Sequence, residues 1–472
     1  MTGQPPADDE LNAALPQLMQ RLLHDLTNVA DGPVQELPSD DQIARIRSIG
    51  ISERGRSFQE VVDEILTDIM PFRVRMNHPR WFGFIPSPLT PMSWIGELLN
   101  TAHNPHAGSW MQSAGPAVVE TELVRWMAEQ LGLPAGAGGL FVSGGSMANL
   151  AALVVARDQM LTEQNRGRAV AYVSAQTHSS IAKGLRIIGF HEHQIRIVAV
   201  DSAFRMSIPA LTAAIEADVS DGLVPFVVIA SAGTTNTGSI DPLSTIADIC
   251  NAQRMWMHVD GAYGASIALS ARHRHLLEGI ERADSVSWDA HKWLMQSYGC
   301  GAVLVRDGRT LAASYHTRPE YLQDTAVTDD EINFWDFGPE LTRPARAIKL
   351  WFSLQVHGSA FFGEVVDHGF RLANWAQDEL SKHARWQIVS PAESAIINFR
   401  CVPDGFADVE ADALNAAISQ RILADGYAGV LTTRLGGRTV LRMCALSRQS
   451  SEQDIRETVR RLDHIAAQLS NR

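Results

Sequence analysis

Ser287-Trp288-Asp289-Ala290-His291-Lys292 closes a short apolar segment and sets a lysine directly after a histidine, at the end of an expected strand. A lysine amine in such a place can form a Schiff base with an aldehyde cofactor. In isolation His291-Lys292 carries little, because most lysines occupy solvated surfaces. Its weight depends on what the rest of the chain places beside it.

Upstream, short β-branched runs alternate with helical stretches. Strands are expected at Leu140–Ser143, Val170–Ser174, Phe226–Ser231, Met255–Val259 and Ser285–Ser287, with one more downstream at Ala302–Val305. Continuous apolar strands separated by helices indicate an α/β fold with a mostly parallel sheet covered on both faces. Ligands of such sheets sit at the carboxyl ends of the strands. Before this region, leucines recur at helical spacing from Leu15 to Leu26. A second helix is expected from an N-cap at Ser57 to a stop at Pro71, and an irregular stretch runs from Asn77 to Pro91. After Lys349 the texture becomes that of a small α+β domain. Its strands are expected at Ala395–Cys401 and Thr439–Leu446, with helices near Lys349–His357, Glu410–Ala424 and Ser451–Leu469. The chain divides accordingly into an N-terminal helical segment (1–91), a large domain (92–349) and a small C-terminal domain (350–472).

The 472 residues are 45% hydrophobic and 20% charged, with a net charge of −13 and no basic block. That balance points away from nucleic acid and from anionic membranes. Four cysteines, Cys250, Cys300, Cys401 and Cys444, lack pair spacing, which suits reduced thiols in a cytoplasmic protein and gives no metal site. The polar, acidic start has no signal-peptide order, and no apolar run is long enough to span a bilayer.

The expected strand ends carry complementary chemistry. Ser143-Gly144-Gly145-Ser146-Met147-Ala148-Asn149 opens a helix. Its glycines would let the backbone approach a phosphate, and Ser146 could add a hydroxyl; a plain tight turn is an equal alternative. His258-Val259-Asp260-Gly261-Ala262-Tyr263-Gly264 ends a strand with an acid that could pair with a pyridine nitrogen. Thr177-His178-Ser179-Ser180 offers an imidazole that could stack on a ring, and Gly233-Thr234-Thr235-Asn236-Thr237-Gly238 offers hydroxyls. Each has a bland reading: a turn cap, a structural histidine, a polar loop. Together, in one order across one α/β region, they describe a site for pyridoxal 5′-phosphate (PLP).

That order and wording resemble the group II PLP-dependent amino-acid decarboxylases, the family of the aromatic-L-amino-acid, glutamate and histidine enzymes. His78-Pro79-Arg80-Trp81-Phe82-Gly83-Phe84 resembles the family's HPRFF segment, and Trp110 with Ser113, Pro116 and Glu120 its following tryptophan-to-glutamate stretch. The resemblance implies fold type I, the aspartate-aminotransferase-like fold, with PLP in the large domain. It implies Lys292 as the Schiff-base lysine, Asp260 as the ring-nitrogen partner and His178 as the stacking residue. Gly145 and Ser146 become phosphate contacts; Thr235, Ala262 and His291 lie beside the cofactor. Ser87 and His106 fall on the substrate side. Tyr321, in Arg318-Pro319-Glu320-Tyr321-Leu322, becomes the acid that protonates the carbanion, from a loop that often reaches the partner subunit's site. A homodimer with shared active sites follows, acting on a small-molecule amino-acid substrate.

The chain also departs from the family. Asp289-Ala290 stands where members often have Asn-Pro, and a carboxylate there would repel phosphate unless bridged or neutralised. Asn104-Pro105-His106-Ala107-Gly108 stands where members acting on aromatic substrates tend to be apolar, which permits a polar or differently shaped substrate. Two other reactions of this fold remain open. Aminotransfer needs an arginine clamp, for which Arg434, Arg438 and Arg442 are candidates. Oxidative decarboxylation to an aldehyde goes with loss of the loop tyrosine or the stacking histidine, and this chain keeps both.

Overall fold

The computed structural model describes residues 8–51, 53–316 and 331–470. Seven strands make the central sheet: β1 (Gly138–Val142), β2 (Ala169–Ser174), β3 (Ile195–Val198), β4 (Val224–Ser231), β5 (Trp256–Asp260), β6 (Ser285–Asp289) and β7 (Gly301–Val305). Their order is β1-β7-β6-β5-β4-β2-β3. The pairs from β6 through β5, β4 and β2 to β3 are parallel, while β7 runs antiparallel to both β6 and β1. A single reversed strand in a mostly parallel sheet is the fold type I architecture.

Side chains alternate across the strands, and the alternation explains the two-sided core. On β5 and β6, Met257, Val259, Val286 and Trp288 face one apolar cluster with Tyr263 and Trp293. Trp256 faces the other, with Val227 and Ile229 of β4 and the alanine-rich helix Gly145–Met160. Small residues on that helix, Ala148, Ala151, Ala152 and Ala156, are fully buried and let it lie close on the sheet. Residues His258 and Asp260 on β5, and Ser285, Ser287 and Asp289 on β6, share the parity of Trp256, so a polar track runs beneath the same helix.

The N-terminal helices are Asp8–Thr27, Asp40–Ile49 and Phe58–Glu64, the last continuing as a π-turn over Ile65–Ile69 before Pro71. Ser57 caps as expected: its Oγ accepts from the Glu60 N–H while the Glu60 carboxylate accepts from the Ser57 N–H. Helix Trp110–Gln130 kinks at Ser113 (φ −156°, ψ 50°), three residues before Pro116, whose ring cannot pack against a preceding helical turn. Glu120 of this helix is wholly buried and forms a bidentate pair with Arg343 at 2.6 and 3.0 Å.

The second sheet is antiparallel, ordered β10-β11-β9-β8, from β8 (Trp386–Ser390), β9 (Ile396–Cys401), β10 (Leu431–Leu435) and β11 (Arg438–Cys444). Helices Ser359–Leu380, Asp408–Ala424 and Glu452–Ser470 pack on it around Phe399, Ile418 and Leu462. All four cysteines are buried and free. Among the described residues no helix is long and apolar enough to cross a membrane, and no cluster of His, Cys, Asp and Glu is arranged for a metal ion.

Candidate active site

A cavity of about 390 Å³ opens at the carboxyl ends of the central strands. Its lining includes Gly145, Ser146, His178, Thr235, Asp260, Ala262, His291 and Lys292, so eight residues from five separate strand ends meet in one place. Asn149, Ser180, Asp289 and Tyr298 line it as well. Ser87 and His106 do not. Ser87 is buried with its hydroxyl donating to the Gln296 carbonyl at 3.0 Å, and His106 packs edge-on against Trp335. Tyr321 lies outside the described residues.

The glycine cradle has a steric reason. A Cβ on Gly144 would sit 2.9 Å from His291 Cε1, and one on Gly145 would sit 2.8 Å from the Ala262 methyl. Helix Gly145–Met160 begins at this cradle with no side-chain cap, leaving its first N–H groups to an anion. A phosphate therefore fits the cradle by both shape and polarity.

Asp260 ends β5, and its two oxygens accept three hydrogen bonds. They come from Asn149 Nδ2 (3.0 Å), the Ser287 hydroxyl (3.1 Å) and the Ala262 N–H (3.2 Å). All three neighbours donate, an arrangement suited to an ionised carboxylate that keeps a proton on a ring nitrogen beside it. Behind it runs a buried polar chain. Asn149 must turn its amide nitrogen to Asp260, so its oxygen accepts from His258 Nε2–H at 3.0 Å. Burial pushes the His258 imidazole below its ordinary value, so the ring is neutral and its Nδ1 accepts from the Ser285 hydroxyl at 2.9 Å. Ser285 in turn accepts from Trp256 Nε1–H at 2.8 Å.

The same Asn149 nitrogen donates to Ser180 Oγ at 3.1 Å. Ser180 meets His178 Nδ1 twice, through its hydroxyl at 2.8 Å and its backbone N–H at 3.2 Å. With Nδ1 accepting from the Ser180 N–H, the ring proton of His178 is on Nε2. One asparagine thus orients both the strand-end acid and the histidine of the next loop.

Lys292 is one of four lysines in the chain. Its ammonium lies 3.1 Å from Asp289 Oδ2, and the side chain is 23% exposed. Lys349, a buried lysine, is held by Glu97 at 2.5 Å and by the Tyr298 carbonyl at 2.9 Å. Among the described residues Lys292 is the one amine lining the cavity. Arg442, a candidate clamp, is spent elsewhere: it donates to the carbonyls of Thr235 (2.6 Å), Phe84 (2.6 Å) and Asn236 (3.1 Å), tying the hydroxyl loop to the N-terminal segment and the small sheet. Thr234 Oγ1 bonds Thr237 Oγ1 at 2.6 Å inside that loop.

An amine, a strand-end carboxylate held by three donors, an oriented imidazole and an uncapped glycine cradle, set on a sheet of this topology, are the parts a fold type I PLP enzyme needs. Residues 42–402 match the pyridoxal-dependent decarboxylase conserved domain, and the chain belongs to that family. It is 35% identical to an aromatic-L-amino-acid decarboxylase of Bacillus atrophaeus, over 96% of this chain and 95% of that one. It is 27% identical to a phenylacetaldehyde synthase of Arabidopsis thaliana, over 98% and 97% of the two chains. Among solved structures, Oryza sativa TDC with PLP and tryptamine superposes with a TM-score of 0.92 at 28% identity, covering 99% of this chain and all of that one. The cofactor is PLP, and the reaction class is amino-acid decarboxylation.

Proposed function

We propose that this chain converts an aromatic L-amino acid to the corresponding amine and carbon dioxide, with Lys292 holding the cofactor. The observation that carries the reading is the meeting of Lys292, Asp260, His178 and the Gly144–Ser146 cradle in one cavity. When bound, PLP supplies a protonated ring that accepts the electron pair left on Cα as the carboxylate departs. Asp260 would hold the proton at the ring nitrogen, with Asn149, Ser287 and the Ala262 N–H keeping its oxygens in place. Gly145 and Ser146 would take the phosphate, and Thr235, Ala262 and His291 would help hold the cofactor. His178 would stack on the ring and offer Nε2–H to the substrate, and Tyr321 would return a proton to Cα.

Support for an aromatic substrate comes from the Bacillus relative and the rice structure. The polar stretch Asn104–Gly108 speaks less against it, since His106 packs on Trp335 and does not line the cavity. Amine is favoured over aldehyde by the presence of both His178 and Tyr321. Aminotransfer is disfavoured because Arg442 already serves three backbone carbonyls. The test is incubation of the holoenzyme with L-tryptophan, L-tyrosine, L-phenylalanine and L-glutamate, following carbon dioxide, amine, aldehyde and hydrogen peroxide. Equimolar amine and carbon dioxide from an aromatic substrate support the reading; aldehyde with peroxide, or keto acid without carbon dioxide, overturns it.

We also propose a homodimer with sites shared across the interface, in the cytoplasm. Exposed Leu15, Leu23, Leu98, Leu99, Met111 and Val118 on the N-terminal helices and their neighbours supply apolar surface for a second copy. Four free thiols suit a reducing compartment. The division at residues 91 and 349 is kept as part of this reading, supported by a separate apolar cluster on the small sheet. Sedimentation showing an active monomer would refute the dimer.

A further inference from the structure

Asp289, at the end of β6, stands against the cradle. It is 1% exposed and lines the same cavity as Gly144, Gly145 and Ser146. A Cβ on Gly145 would lie 2.9 Å from its Oδ2, and a Cβ on Gly301 would lie 2.3 Å from its Oδ1, so glycines admit the carboxylate from both sides. Oδ1 is buried and has no hydrogen-bond partner. Oδ2 has the Lys292 ammonium at 3.1 Å and His291 Nε2 at 3.5 Å.

Among the described residues this carboxylate has no cation besides Lys292. His291 turns Nδ1 to the Cys300 carbonyl at 3.1 Å, and burial lowers its affinity for a proton, so the nitrogen facing Asp289 carries a lone pair. The buried Cys300 thiol is pushed up to about 12 and stays neutral. Lys349 is paired with Glu97, Asp260 is occupied by three donors, and Tyr298 across the cavity is an uncharged phenol raised by burial. In the loaded enzyme the Lys292 nitrogen would be committed to the cofactor's aldehyde carbon and would no longer be a free ammonium for Asp289. A phosphate in the adjoining cradle would then meet the carboxylate without that partner, and two anions in a buried site repel strongly.

We propose that Asp289 and the cofactor's phosphate share one proton, so that this site binds the phosphate as its monoanion. The proton comes from solution on loading and is held in an O–H···O bond between phosphate and carboxylate; the one covalent change on loading, condensation of the Lys292 amine with the aldehyde, would release the aldehyde oxygen as water. This rests on the PLP reading and on Lys292 as the bonded amine. It gives the orphaned carboxylate a donor, which a dianion cannot supply.

The consequence is a cofactor affinity that depends on pH. A free phosphate monoester loses its second proton near pH 6. Above that, retaining the proton in the complex raises the PLP dissociation constant about tenfold per pH unit. Asp289→Asn replaces the repelling oxygen with an amide donor, so it binds PLP at least about tenfold more tightly near pH 8 and with a flatter pH dependence.

Phosphorus NMR of the wild-type holoenzyme reads the proton directly and needs no variant. The bound signal is expected to stay at the monoanion position from about pH 6 to about pH 8, while free PLP passes to the dianion. Equilibrium dialysis of PLP against wild-type and Asp289→Asn apoenzyme over the same range gives the affinities. A dianion signal in the wild type overturns the proposal, as does an Asn variant that binds no more tightly. A proton taken up with a dianion signal would place it on His291 and equally overturn the assignment. Failure of the wild type to bind PLP at all would instead break the PLP reading.

Discussion

Asp260 and Asp289 end neighbouring parallel strands, β5 and β6, on the same face of the sheet and beside the same cavity. The protein completes one and leaves the other unfinished. Asp260 has three donors from three elements and a four-residue chain behind them. Asp289 has a single cation on one oxygen and nothing on the other. A buried polar atom without a partner costs free energy, so its persistence beside a cradle marks the place where a ligand supplies the missing contact. In the proposed function the finished acid would set the electronics of the bound ring, and the unfinished one the terms on which the phosphate enters.

The sharpest break in this comparison is Asp260→Ala. Loss of the acid that keeps the ring protonated should lower kcat by about 10³-fold or more, equivalent to about 4 kcal/mol, while Asp260→Glu retains more activity. Near-normal turnover in the alanine variant with PLP bound would show that the cofactor is misplaced. Tyr321→Phe comes next. A positioned acid contributes about 10²–10⁴-fold, so its loss should let oxygen compete for the carbanion and shift product from amine towards aldehyde, read as peroxide formation. Amine at the wild-type rate without peroxide would make Tyr321 an ordinary residue.

Asn149→Ala tests whether the support of Asp260 matters as well as Asp260 itself. It removes donors from both Asp260 and Ser180 and strands His258 Nε2–H. We expect kcat to fall about 10- to 100-fold, about 1.4–2.7 kcal/mol, with a changed pH profile of the bound cofactor's absorbance. Loss of melting temperature alone, with kcat unchanged, would reduce the chain to packing.

The smallest effect concerns stability. Burial first, then Arg80, lowers His78 from its ordinary 6.5 to about 4, and burial lowers His258 in the same direction. Both bind a proton more readily when the chain is unfolded. Stability from these sites is therefore full above about pH 6.5 and is lost as pH falls towards 4. Thermal melts across that window should show a declining midpoint, and a flat profile would contradict the assignment.

The large sheet was legible because its strands are uninterrupted apolar runs that end in polar motifs. β3 was not: it has four residues, with Arg196 inside it and Ile197 exposed on the edge. β8 and β10 escaped for a similar reason, since they flank the small sheet and alternate with polar residues such as Gln387, Thr433 and Arg434. At the site, eight residues that line the cavity could be read from strand-end motifs. Those that support them could not be recognised so directly, because Asn149 and Ser180 acquire meaning only when a helix is laid over β5. A signal existed: His258-x-Asp260 and Ser285-x-Ser287-x-Asp289 put polar residues on one face of strands otherwise built of Met257, Val259, Val286 and Trp288. Ser87 and His106 came from family position alone, and no local pattern said which neighbours they would meet.

The most direct test of the account is where the cofactor is attached. The chain has only Lys183, Lys292, Lys349 and Lys382, so borohydride reduction of the holoenzyme followed by peptide mass spectrometry has four possible answers. The account predicts a yellow protein whose reduced pyridoxyl label falls on Lys292, and a Lys292→Ala variant that loses nearly all turnover. A label on Lys349, Lys183 or Lys382 would contradict it.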